Sequence, residues 1–555
     1  MIANDYKWWQ KTVVYQIYPR SYRDSTGNGI GDLNGIREKV DYLADLGIET
    51  VWFNPFFKSP QKDHGYDVSD YREIDPVYGT MHDFEALLKD LHDRNIKLIL
   101  DLVLNHTSDE HPWFIESASS RDNPKRDWYI WRDGKKPSGR KPPNNWIAIL
   151  GGKAWKYDQG TDQWYYFHFL PFQPDLNYRN PEVKEEMFNV MRFWLKKGVD
   201  GFRLDILHSI YEDEALRDDK FSWHLLPSEK RVSSLFHEHL YDLNLPETFD
   251  FSMELRKIMD EFDPPRFLVG EVAGSVEELR KYYGPNNNGL NLCFLFEFMG
   301  TKFNSKSFYN VISRIEKSLP YPFTPTYVLG NHDQVRSISR INNDVNKAKL
   351  VATMQLTLRG VPFLYYGEEL GMENVYFDLE ESQDPLGKVF SKWPIPILAK
   401  LLGLTLIRDG CRTPMQWNNT MHAGFSSNPN CTPWLRVPES YLQVNVEQEE
   451  NDPNSILNCY KQLLKIRQEY IALQQGKLEF INKPQRSKDI LGYSRTYKGE
   501  IVYTCLNFSS KELRLKLPIE RPTLLFSTSR FRDDIHSEIN QKAVQLSPIE
   551  GIVFK

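Results

Sequence analysis

"GVDGFRLDI", residues 198–206, decides how the fold is read. A near-continuous apolar run closes on Arg203 and Asp205, two residues apart and so on one face of a strand. Seven more runs have the same look: "VVYQIYP" (13–19), "TVWFNPF" (50–56), "KLILDLVLN" (97–105), "RFLVGEV" (266–272), "NLCFLFEF" (291–298), "TYVLGNHD" (326–333) and "VPFLYYGEE" (361–369). Helical segments lie between them, among them 35–47, 81–95 and 180–198. Apolar strands that each lead into a helix predict a parallel sheet covered on both faces. Eight of them predict a closed (β/α)8 TIM barrel, an α/β fold.

Polar residues gather where these runs end: Asp101, Asn105 and His106; Arg203 and Asp205; Glu271; His332 and Asp333; Glu368. In such barrels the C-terminal strand ends carry the chemistry. The stretch after the third strand is long and rich in Trp, Tyr, Gly and Pro, which predicts an inserted subdomain rather than a bare loop. A second insertion follows the eighth strand at 371–420. From about 478 the pattern alternates and turns β-rich. The barrel is therefore assigned to 1–104 and 176–477, the inserted subdomain to 105–175, and a C-terminal antiparallel β-sandwich to 478–555.

Composition narrows the function. The chain has 555 residues, 40% hydrophobic and 26% charged, which is ordinary for a soluble globular protein. A net charge of −6 gives no basic face for nucleic acid or for an anionic membrane. No stretch reaches the roughly 20 apolar residues of a membrane span, and no signal pattern opens the chain. The five Cys (293, 411, 431, 459, 505) are scattered, without CxxC, so neither a disulfide framework nor a zinc site is expected. Together these predict a cytoplasmic protein. Nothing in the pattern speaks to oligomeric state.

Asp205, Glu271 and Asp333 supply three carboxylates on three strand ends. Cleaving a glycosidic bond needs two, one to protonate the leaving oxygen and one to attack or guide attack on the sugar carbon. Arg203 would hold Asp205 ionised, and the apolar "FLVGEV" would raise the pKa of Glu271 for the proton-donor role. His106 and His332 are single residues without an HExxH pattern, which favours hydrogen bonding to sugar hydroxyls over metal ligation.

"DLVLNHTS" (101–108), "GFRLDILHS" (201–209), "FLVGEV" (267–272) and "VLGNHD" (328–333) resemble, in order, the signature regions of the α-amylase family, glycoside hydrolase family thirteen. "QPDLN" (173–177), "RTPMQWN" (412–418) and "HAGFS" (422–426) resemble its oligo-1,6-glucosidase and α-glucosidase branch. The resemblance spans about residues 6–550 and implies the following roles. Asp205 is the nucleophile, Glu271 the general acid and then base, and Asp333 the carboxylate that binds and distorts the sugar. Arg203 orients Asp205, while His106 and His332 bind hydroxyls. Asp63 and Tyr66 hold and stack on the terminal glucose. Arg412 pairs with Asp63 and closes the pocket, and Phe169 and Gln173 line it from the insertion. The implied activity is an exo-acting, retaining α-glucosidase on small α-glucosides of the maltose, isomalto-oligosaccharide and sucrose class, with transglucosylation when a sugar replaces water. Sucrose isomerase and trehalose synthase, which use the same carboxylates, are the nearest alternatives. A non-catalytic partner of an amino-acid transporter is disfavoured, because all three carboxylates are present.

The chemistry needs no cofactor. "DSTGNGIGD" (24–32) resembles the family's calcium loop, with Asp24, Thr26, Asn28, Asp32 and the Ile30 carbonyl as ligands. The other reading is a Gly-rich turn held by Asx hydrogen bonds. Linkage preference turns on Ile206, where relatives with Val favour α-1,6 and those with Thr or Ala favour α-1,4. Ile206 leans toward α-1,6, but the 384–410 insertion differs from simple oligo-1,6-glucosidases, so the preference stays open.

Overall fold

A computed structural model describes residues 7–223, 233–234, 236–391, 406–482, 489–516, 519, 522–529 and 543–555. Each of the eight expected runs contains a strand: β1 Val14–Ile17, β2 Thr50–Phe53, β3 Lys97–Leu102, β4 Gly201–Leu204, β5 Phe267–Gly270, β6 Leu292–Cys293, β7 Thr326–Val328 and β8 Val361–Tyr365. Their order in the sheet is β6-β5-β4-β3-β2-β1-β8-β7. Strands adjacent in sequence are thus neighbours, and only β6 and β7 end the sheet, which makes a nearly closed (β/α)8 barrel. Every residue of β1, β2, β4, β5 and β8 is buried, as a sheet covered on both faces requires.

The strands are shorter than their apolar runs. "NLCFLFEF" pairs only at Leu292–Cys293 and then coils into a 3-10 turn at Phe296–Phe298. "VPFLYYGEE" ends its strand at Tyr365 and turns at Glu368–Leu370. Phe294, Leu295, Phe298 and Tyr366 stay buried after the ladder stops, so hydrophobicity marks burial and not strand length.

The helices follow their caps. Asn180 accepts from the Glu182 N–H at 2.9 Å, Pro181 opens the helix, and Pro181–Lys196 buries Val183, Met187, Val190, Met191 and Trp194. The helix expected over 35–47 is split into Leu33–Arg37 and Val40–Leu46, with Lys39 between them at φ −112°, ψ 10°. Within 105–175, Trp131–Arg132, Trp155–Asp158 and Gln163–Tyr166 form a three-stranded antiparallel sheet. Its aromatic richness is mostly core: Trp146, Trp155, Trp164 and Tyr166 pack around Ile130. Beyond 476, a five-stranded antiparallel sheet and the pair Leu513–Lys516/Ala543–Leu546 share a core of Ile490, Cys505, Val544, Leu546, Ile552 and Phe554.

The chain divides into two compact units: Met1–Val51, Lys89–Lys97 and Leu295–Lys555 in one, Trp52–Leu88 and Leu98–Phe294 in the other. No helix among the described residues is long and apolar enough to cross a membrane. Of the 384–410 insertion, residues 392–405 lie outside the described residues.

Candidate active site

Strand register builds the first cluster, in the unit that holds β3, β4 and β5. Asp101 of β3 sits opposite Arg203 of β4, and Arg203 sits opposite Val269 of β5, two residues before Glu271. The Arg203 guanidinium is 1% exposed and meets three carboxylates. It donates to Asp101 Oδ1 at 2.7 Å, to Asp205 Oδ1 at 2.7 Å, and to Glu271 Oε2. The Trp52 ring lies 5.1 Å from its Cζ. One guanidinium cannot neutralise three carboxylates, and burial pushes the innermost, Asp101, up to about 6.

Glu271 does not stand in the apolar setting its strand suggested. The apolar run stops at Gly270, and the carboxylate turns onto Arg203 and lies 3.4 Å from the Ile206 N–H. Ile206 lies in the left-handed region at φ 32°, ψ 43°, an outlier for a β-branched residue. The sharp turn there ends β4 and carries the chain into the 3-10 turn Leu207–Ser209.

Tyr66 adjoins this cluster: its hydroxyl donates to Asp101 Oδ2 at 3.1 Å and accepts from Asn54 Nδ2 at 2.8 Å. Burial lowers His106 to about 4, so the ring is neutral; its Nδ1 is 2.9 Å from Asn105 Oδ1, and its Nε2 lies 3.2 Å from the Tyr66 carbonyl. Asp63 accepts from Gln173 Nε2 at 3.1 Å, which joins two residues 110 positions apart. Phe169 is half-buried four residues before Gln173. Asp175 fastens the end of the insertion by accepting from Asn105 Nδ2 at 3.1 Å and from the His168 N–H at 2.9 Å.

The second cluster belongs to the unit that holds β7 and β8. Asp333 Oδ1 accepts from Arg412 Nη2 at 3.0 Å and Arg408 Nη1 at 3.3 Å, and Oδ2 is 3.2 Å from His332 Nε2. The Gln16 amide donates to His332 Nδ1 at 2.8 Å, which leaves the ring proton on Nε2, toward Asp333. Arg412 is fully buried, and its Nε donates to the His332 carbonyl at 2.8 Å. Tyr18 stacks with both His332 and Trp434, ring centroids 6.1 and 6.0 Å away. Arg408 is held by Asp384, whose carboxyl the two arginines keep far below the usual range in spite of burial.

Several of these partners escaped the sequence reading. Asp101 was visible as a strand-end carboxylate, but its pairing with Arg203 depends on register. Arg408, Asp384, Gln16 and Tyr18 come from distant segments with no shared motif. Glu368 accepts from the Tyr460 hydroxyl at 3.2 Å.

In the N-terminal loop the side-chain oxygens expected to face a cation meet hydrogen-bond donors of the chain itself. Asp24 Oδ1 accepts from Gly27 N at 2.7 Å and Asn28 N at 3.3 Å, and Oδ2 from Gly29 N at 2.8 Å and Ser426 Oγ at 2.6 Å. Asp32 accepts from Ser25 N at 2.8 Å and Gly35 N at 2.7 Å, the latter as a helix cap. Asn28 Oδ1 accepts from Ile30 N at 2.8 Å, and Thr26 Oγ1 donates to Asp24 at 3.2 Å. Donors therefore meet the side-chain oxygens a calcium ion would need. Gly29, at φ +88°, lies where a Cβ would fall 2.1 Å from the Thr432 carbonyl oxygen.

A parallel barrel with carboxylates at the mouths of its strands, three of them on one buried arginine, is the architecture of a glycoside hydrolase. Residues 16–476 match the family described as alpha amylase, catalytic domain. The chain is 40% identical over 535 residues to a probable alpha-glucosidase of Rhizobium meliloti (strain 1021), covering 94% of this chain and 93% of that one. It is 38% identical over 577 residues to an oligo-1,6-glucosidase of Parageobacillus thermoglucosidasius, covering 99% of each. Among solved structures, the trehalulose synthase MutB from Pseudomonas mesoacidophila MX-45 superposes with a TM-score of 0.88 at 32% identity over 99% of each chain. The chain belongs to the alpha-amylase family.

Proposed function

We propose that the protein is an exo-acting, retaining α-glucosidase on short α-glucosides. Asp205 attacks the anomeric carbon while Glu271 protonates the leaving oxygen. Glu271 then takes a proton from water, which releases the covalent β-glucosyl group as α-glucose. A sugar in place of that water gives transglucosylation. Asp333, held by Arg412, Arg408 and His332, binds ring hydroxyls, as do His106 and His332. Asp63, Tyr66, Phe169 and Gln173 line the terminal-glucose pocket, and Arg412 holds Asp333.

The observation that carries this reading is the shared guanidinium. Arg203 holds both Asp205 and Glu271, from neighbouring strands. A common partner favours the short ~5–5.5 Å carboxyl spacing of double displacement over the ~6.5–9.5 Å of inversion. The relatives named alpha-glucosidase and oligo-1,6-glucosidase support the substrate class. The five free cysteines agree with a reducing, cytoplasmic setting.

The likeness to a trehalulose synthase supports a second reading, isomerisation of sucrose by the same carboxylates. Initial rates on maltose, isomaltose, sucrose and trehalose, with proton NMR of early product, separate the two. The glucosidase releases α-glucose from at least one of them. Early β-glucose rejects double displacement, and isomeric disaccharides as the main product from sucrose favour the second reading. Asp205→Ala should lower turnover by at least ~10³-fold, about 4 kcal/mol of barrier, with the fold intact.

A further inference from the structure

Away from the Arg203 cluster, Asp219, His239 and Asp242 come together inside the same unit. They are 6%, 3% and 1% exposed, and one ligand atom from each lies within 4.8 Å of the others. His239 Nδ1 is 2.9 Å from Asp242 Oδ2, and His168 Nδ1 is 4.0 Å from that same oxygen. The second oxygens, Asp219 Oδ2 and Asp242 Oδ1, are buried with no hydrogen-bond partner, while His168 Nδ1 also lies 3.3 Å from the Tyr166 hydroxyl. No lysine or arginine among the described residues forms an ion pair with Asp219 or Asp242. Two buried carboxylates, each with one oxygen unmet, are costly unless a cation faces them.

We propose that Asp219, His239 and Asp242, with His168 at the fourth position, form a binding site for a divalent transition-metal ion of the zinc class. Two carboxylate oxygens and two imidazoles make a mixed N/O set suited to zinc rather than to calcium, which takes oxygen alone. Around an ion with bonds of about 2.0–2.2 Å the 2.9 Å His239–Asp242 pair opens slightly and the longer separations close.

The placement gives the metal work to do. The chain leaving β4 pairs Lys220–Phe221 with His237–Glu238. The Asp213 N–H donates to the Tyr241 carbonyl at 2.7 Å, and the Asn244 N–H to the His208 carbonyl at 2.8 Å. Asp219 lies on the outgoing limb, and His239 and Asp242 on the returning one. An ion between them clasps the neck of the loop that begins at Asp205, and His168 ties that neck to the inserted subdomain.

The test is zinc itself on the full-length chain, purified without a metal-affinity tag and dialysed against metal-free buffer. Competition with a chromophoric chelator is expected to give one zinc per chain, bound at least tenfold tighter than calcium. Melting temperature is expected to rise with zinc. Asp219→Asn and Asp242→Asn should each lose at least tenfold in zinc affinity and lose the zinc-dependent rise. Wild-type chain that takes up no zinc at micromolar concentration overturns the proposal, whatever the variants do. So does full uptake in both variants, or tighter binding of calcium than of zinc.

Discussion

The main-chain N–H of Ile206 lies 3.4 Å from Glu271 Oε2, and Ile206 reaches that position only in a left-handed conformation. A β-branched residue there stores ~1–3 kcal/mol of strain. The turn that costs this energy is the turn that aims the strand end at the carboxylate. Ile206→Gly removes the strain and also the constraint. Melting temperature is expected to hold or rise, while kcat falls about tenfold, ~1.4 kcal/mol of barrier. The maltose-to-isomaltose rate ratio is expected to shift as well. A fall of several degrees in melting temperature with unchanged kcat would mean that Ile206 serves packing alone.

Arg203 sits against Asp101, Asp205 and Glu271 at once, so its charge favours the ionised form of all three. Arg203→Lys keeps a charge but loses the planar fork that reaches several partners. Turnover is expected to drop by ~10²-fold or more. With less positive charge spread over the cluster, the carboxylates hold their protons to higher pH. The acidic limb of the kcat/KM profile should therefore move upward in pH. A reduced rate with an unmoved limb would make Arg203 a scaffold rather than an electrostatic partner.

The barrel and the charged ends of its strands were legible because each depends on local pattern. Apolar runs repeat, and charge at their ends is conspicuous. Pairing was not legible. The single guanidinium serving three carboxylates follows from register across β3, β4 and β5. The helix over 35–47 broke at Lys39, where nothing in the apolar spacing marks a stop. The Asp219–His239–Asp242 cluster joins two limbs of one loop with no motif spacing between them. The Gly-rich stretch 24–32 carried two readings, because the same oxygen-bearing residues serve a cation or the backbone.

Glu368 gives a pH-dependent contribution to stability. It is buried, its Oε1 accepts from Tyr460, and Oε2 has no partner. Burial, reinforced by Glu369, raises its pKa to about 8 against the pull of Tyr460, Arg340 and Arg336. An unfolded chain releases this proton near ~4.3. Between those values the folded state binds more protons, so stability from this group is full below the lower one and is lost as pH rises through 8. Glu368→Gln never ionises. Its melting temperature relative to wild type should climb from pH 5 to pH 8 and level off above. Parallel profiles across pH 5–9 would show that Glu368 is already charged in the fold.

Asp24 anchors its loop by accepting from the Gly27, Asn28 and Gly29 N–H groups and from Ser426, while its own N–H donates to the Phe425 carbonyl at 2.9 Å. The "HAGFS" motif is thus the surface this loop clasps, and its left-handed residues His422 and Ala423 shape the turn that brings Ser426 to Asp24. Hydrogen bonds to a buried carboxylate are each worth ~1.5–3 kcal/mol, and removing the acceptor orphans several donors together. Asp24→Ala should therefore cost about 3–5 kcal/mol in chemical denaturation. Because those donors already meet the Asp24 oxygens, millimolar calcium added to dialysed wild type should leave its melting temperature unchanged. A rise of several degrees with calcium, absent in Asp24→Ala, would show that the loop exchanges its backbone donors for the ion.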